Sequence, residues 1–139
     1  MMLGSLLAAT LLQVAPVAAV QPWTTATPDA GSWTYRAFPG GSEAIFQGAA
    51  GPLFTLRCTL ASRTVQLLRS GAVPGTSLVV RTTSLERSLP ASGTLGARDP
   101  LLDAIAYSRG RWSVEAPGLP RLVLPGWPEA ARSIEDCRN

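Results

Sequence analysis

Two cysteines, placed in two different hydrophobic periodicities, constrain this chain more than any other feature. Phe54, Leu56, Cys58 and Leu60 fall on one side of an alternating run whose other side is Thr55, Arg57 and Thr59, so Cys58 belongs to a strand and points inward. Trp127, Ala130, Ala131, Ile134 and Cys137 recur at helical spacing, so Cys137 belongs to the apolar stripe of a C-terminal helix. No other cysteine exists, and only one pairing is open to a monomer. A Cys58–Cys137 bridge closes a loop of 79 positions and removes on the order of 4 kcal/mol of denatured-chain entropy.

The compartment decides whether such a bridge persists. Met1 to Ala19 carries no charged side chain and ends in Val17-Ala18-Ala19, the small-residue pattern that signal peptidase cleaves after. Gln13 and Pro16 interrupt the apolar run, which falls short of the roughly 20 residues needed to span a bilayer. No cysteine lies at the cut to carry a lipid. Residues 1–19 therefore read as a signal peptide, the mature protein as periplasmic or secreted with no membrane span after cleavage, and the cysteine pair as a structural disulfide. The competing reading, a reactive or metal-binding thiol pair, lacks a Cys-x-x-Cys and lacks any histidine.

Residues 20–32 are rich in Pro, Thr and Ala without apolar periodicity and predict an extended or disordered lead-in. From residue 33 to 139 the pattern predicts one disulfide-closed, β-rich domain. Short β-type runs, Trp33 to Phe38, Glu43 to Phe46, Leu53 to Leu60, Thr64 to Leu68, Ser77 to Thr82 and Leu85 to Leu89, alternate with turn signals. Ser70 to Gly75 reads as a long hairpin loop. Asp99-Pro100 supplies an N-cap and a first-turn proline for a short helix closed near Gly110. Trp112 to Ala116 and Arg121 to Leu124 read as a hairpin around Pro117 to Pro120. In the last helix Arg132 is spaced to pair with Glu129 and Asp136. The fold class expected is mostly β: a small antiparallel β-sandwich or partly closed barrel, with one short helix and a C-terminal helix.

The chemistry is narrowed chiefly by what is missing. Without His or Lys, Ser-His, Cys-His, Ser-Lys and Schiff-base mechanisms have no base or nucleophile, and no phosphate-binding glycine loop or nucleophile elbow occurs. No cofactor or metal site is expected. All 12 basic residues are Arg, and the net charge of +3 is scattered, which argues against nucleic acid. Paired carboxylates remain as one route to glycoside chemistry: Asp99 and Asp103, one helical turn apart, and Glu135-Asp136. Each has a simpler role as an N-cap, a first-turn acid or a solvated helix end. Ser108-Arg109-Gly110-Arg111-Trp112 places two guanidinium groups and an indole around a turn, where they can stack on a sugar or grip a carboxylate or phosphate. The competing reading makes Arg109 a helix C-terminal cation, Gly110 its C′ residue and Trp112 a core position. Trp23, in the lead-in, either docks or stands free.

The stretch Asp99 to Arg111, with Leu122-Val123-Leu124-Pro125 and Ile134-Glu135-Asp136-Cys137-Arg138, resembles a group of exported proteins of alphaproteobacteria with no assigned activity. More distantly, the organisation from Trp33 to Cys137 is similar to the invasion-associated locus B family. The resemblance implies an exported β-rich domain with a short helical element before the chain closes, and it assigns no site residue. The function expected is that of a non-catalytic periplasmic or secreted accessory domain binding an envelope protein or cell-surface material, with Arg109, Arg111 and Trp112 as the candidate ligand residues. The alternative is a carboxylate enzyme, or an enzyme inhibitor, acting on cell-wall glycans.

Overall fold

A computed structural model describes residues 9–12 and 21–139. The segment 1–19, expected to be a signal peptide, lies outside the described residues apart from 9–12, and among the described residues no helix is long and apolar enough to cross a membrane. The strands are β1 (Ser32–Phe38), β2 (Gly41–Gly48), β3 (Gly51–Thr59), β4 (Thr64–Arg69), β5 (Ser77–Arg81), β6 (Glu86–Pro90), β7 (Thr94–Gly96), β8 (Arg111–Glu115) and β9 (Leu122–Pro125). Two helices, α1 (Pro100–Ala106) and α2 (Pro128–Arg138), complete the fold. One sheet has the order β1-β2-β3-β4-β7 and the other β6-β5-β8-β9, with every pairing antiparallel. The architecture is an open β-sandwich, not a closed barrel.

Side-chain alternation along β2 and β3 divides one face of the larger sheet between two partners. Register pairs Phe46 with Phe54, Ala44 with Leu56 and Ser42 with Cys58, and all six point to the same side. At the aromatic end the second sheet covers them: Phe54 meets Trp112 edge-on with centroids 5.3 Å apart, and Trp33 stacks on Trp112 at 6.2 Å. Each such pair adds about 0.5–1.5 kcal/mol beyond area burial. At the other end α2 covers them. Cys137 is bonded to Cys58, with Cα atoms 5.6 Å apart, and the Ser42 hydroxyl donates to Ser133 at 3.2 Å. The expected disulfide is present, and both its residues are fully buried.

Several local expectations are corrected. Ser70 to Gly75 is not a hairpin loop: β4 pairs with β3 and β7, whereas β5 pairs with β6 and β8, so the segment crosses between sheets. The crossing sets Val65 and Leu67 of one sheet and Leu78 and Val80 of the other into a common core, where all four are fully buried. Arg69 seals the crossing by donating to the carbonyls of Ser70 (2.9 Å) and Pro120 (3.2 Å). Burial lowers its pKa, an effect opposed by the charge of Asp29. Strand β7 has only three residues and gave no periodic signal.

On α2 the buried stripe is Ala130, Ser133, Ile134 and Cys137. Trp127 is the N-cap residue and stands 45% exposed, because its extended backbone lies before the first helical turn. Arg132 does not engage Glu129 or Asp136; its guanidinium lies 3.9 Å over the Tyr35 ring, and Asp136 instead accepts the Tyr35 hydroxyl. Leu60, beyond the end of β3, is exposed rather than part of the inward row. In α1 Asp99 caps as expected, accepting from the Leu101 N–H at 2.8 Å. The helix ends at Tyr107, so Gly110, at φ +74°, serves the following turn and is not its C′ residue.

The lead-in is fastened to the sandwich. After a turn at Trp23–Thr25, the Asp29 N–H donates to the Val123 carbonyl at 2.8 Å, and the Val123 N–H donates to the Asp29 carboxylate at 2.7 Å. Residues 21–31, where the sequence predicts an extended or disordered lead-in, form no helix or strand and make these two hydrogen bonds to β9. Asp29, through its N–H and its carboxylate, satisfies Val123 at the outer edge of β9, which otherwise leaves a donor and an acceptor unpaired.

Candidate functional site

The turn between α1 and β8 presents Arg109 and Arg111 to one side and buries Trp112 on the other. Consecutive strand residues point to opposite faces, and Trp112, 1% exposed, is the largest buried side chain of the core. It cannot stack on a ligand, which corrects its place among the candidate ligand residues. The turn itself is stitched by side chains. The Ser108 hydroxyl donates to the Arg111 carbonyl at 2.6 Å and accepts from the Thr83 N–H at 3.1 Å, while the Arg109 N–H donates to the Thr83 hydroxyl at 2.8 Å. Two loops, one after β5 and one after α1, are thereby held as a unit, and the Arg109 side chain projects from it into solvent.

The lead-in supplies the aromatic group that Trp112 does not. Trp23 and Thr24 face Thr83, Arg109 and Arg111 across an open cleft of about 230 Å³. The Arg111 guanidinium donates to the Ala26 carbonyl, which ties the Trp23 wall to the β8 wall. Neither guanidinium has a carboxylate partner among the described residues. The cleft thus combines a half-buried indole, two hydroxyls and two uncompensated cations, a set that can hold a carboxylate or phosphate by charge-assisted hydrogen bonds while packing a ring or sugar face against the indole. No periodicity around Trp23 places it in the sequence; its position follows from the fold.

The carboxylate candidates lie elsewhere and are engaged separately. Asp99 caps α1 and takes Arg87 at 2.6 Å; Asp103 takes Arg138 at 2.7 Å. They do not converge on a shared cation. Glu135 also reaches Arg138, at 3.6 Å, and Asp136 holds Tyr35. A larger cleft, of about 430 Å³, lies between Arg63, Arg98 and Arg138. Arg63 there holds the carbonyls of Cys137 and Asn139, and Arg138 holds the carbonyl of Ala97 besides Asp103, so two of its three guanidinium groups serve to dock the end of α2. Among the described residues no group of three or more Cys, Asp or Glu side chains is arranged to hold a metal ion. No family model, curated protein or solved structure matches the chain.

Proposed function

We propose that this protein is a non-catalytic binding domain of an oxidising compartment, periplasmic or secreted, that takes a carboxylate- or phosphate-bearing component of the cell envelope in the Trp23–Arg109–Arg111 cleft. The observation that carries the reading is the pair of guanidinium groups without carboxylate partners beside a half-buried indole. A buried Cys58–Cys137 disulfide is consistent with an oxidising environment. The leader-like Met1 to Ala19 segment and the resemblance to exported alphaproteobacterial proteins support the same location.

The test is co-sedimentation of the mature protein with isolated peptidoglycan sacculi and, separately, with vesicles containing anionic phospholipid. Trp23→Ala and Arg109→Ala are the informative variants, because neither side chain makes a hydrogen bond that holds the fold. Each is expected to keep the native melting temperature and to weaken association at least fivefold in whichever arm binds. Association unchanged in both variants, or absent from both arms, would overturn the reading.

A further inference from the structure

The four sheet edges are not equally protected. β9 is covered by the Asp29 segment through two hydrogen bonds. β6 carries Glu86, Arg87 and Pro90, and β7 is three residues long, both ordinary ways of blunting an edge. β1 has none of these devices. It runs seven residues without proline, and its one charge, Arg36, turns inward along the sheet to Glu43.

The direction of its free groups follows from the turn before β2. The Leu60 N–H donates to the Gly40 carbonyl at 2.9 Å, so Gly41 turns its own N–H and C=O toward Phe38, its partner across the Pro39-Gly40 turn. Alternation then commits Ser32, Thr34, Arg36 and Phe38 to β2 and leaves the main-chain groups of Trp33, Tyr35 and Ala37 directed outward. These have no hydrogen-bond partner among the described residues.

We propose that β1 is a strand-addition site for an extended segment of a partner polypeptide bearing an acidic residue across from Arg36. Register places Arg36 beside Glu43 and Glu43 beside Arg57 on the outer face, where the Arg57 guanidinium also lies 4.8 Å from the Phe38 ring. An acid on an added strand continues this row with alternating sign, and Arg36, 68% exposed and held to Glu43 through one Nη only, keeps its other N–H groups to meet it. A second copy of the chain is the poorer occupant: antiparallel pairing centred on Tyr35 brings the two Arg36 side chains diagonally together on one face, like charge near like charge. Main-chain bonds supply the attachment and the alternating row its preference, as in other strand-addition complexes.

The probe is a capped nine-residue peptide of alternating Thr and Val with Glu at its central outer-face position, compared with the same peptide carrying Lys there. Amide exchange followed by NMR is expected to show new protection at Trp33, Tyr35 and Ala37 and none at β6. The Glu peptide should bind about fivefold more tightly than the Lys peptide, the size of one cross-strand charge reversal. Ala37→Pro removes an outward N–H at an edge position that tolerates proline and should abolish the protection; Arg36→Gln, which leaves the backbone intact, should erase the preference for Glu. The proposal is overturned if the three amides stay unprotected, if both peptides bind equally to the native protein, or if the same amides are protected without peptide in a dimer detected by light scattering.

Discussion

Removing the disulfide tests the physical basis of the fold. The bridge joins positions 79 apart, and the loop-closure relation for that length gives about 15 cal/mol/K of denatured-chain entropy, or about 4.5 kcal/mol at 25 °C. A domain of about 120 residues unfolds with an entropy near 250 cal/mol/K, so a Cys58→Ala/Cys137→Ala variant is expected to melt about 18 °C below the native protein. Because the bridge acts on the unfolded chain, freeing it should also raise the urea m-value, as a more expanded denatured state exposes more surface. Calorimetry and urea unfolding, each with and without reductant, measure both effects. The geometry adds a further expectation: α2 covers Ser42 and Cys58 at one end of the larger sheet, so the loss should be global and not a fraying of the last helix. A fall of less than about 5 °C with an unchanged m-value would refute the closure argument. Exchange protection lost only across Pro128–Arg138 would show that the bridge holds a detachable helix and not the domain.

Two other predictions concern Trp112 and Asp29, one buried in the core and the other bonded to the edge of β9. Trp112→Ala should cost about 3–5 kcal/mol, because it empties a site enclosed by Trp33 and Phe54; chemical denaturation checks this, and a ligand-binding tryptophan would show little loss. Asp29→Ala should cost about 1 kcal/mol through the lost bond to Val123 and should speed limited proteolysis between Gln21 and Gly31 several-fold, with the 33–139 fragment left intact.

The parts of this fold legible in the sequence are those fixed by neighbours along the chain. Cys58 sits in an alternation that allows one inward face, Asp99-Pro100 starts a helix by its own hydrogen bonds, and Pro117 to Pro120 reverses the chain between two strands that then pair. The crossover at Ser70 to Gly75 was illegible because a turn signal states only that the chain bends. Whether β5 lies beside β4 or opposite it depends on where Val65, Leu67, Leu78 and Val80 can share a core. The same distinction governs the site. That Arg111 and Trp112 cannot both face a ligand was available from strand alternation alone, since adjacent residues diverge. Trp23 was not recoverable in that way: its position depends on Asp29 binding Val123, and Val123 offers a free edge only because β9 ends the sheet order β6-β5-β8-β9. The Trp23–Arg109–Arg111 cleft is thus a consequence of edge protection. The segment that satisfies β9 carries the indole to the two arginines, while β1 receives no such segment from among the described residues.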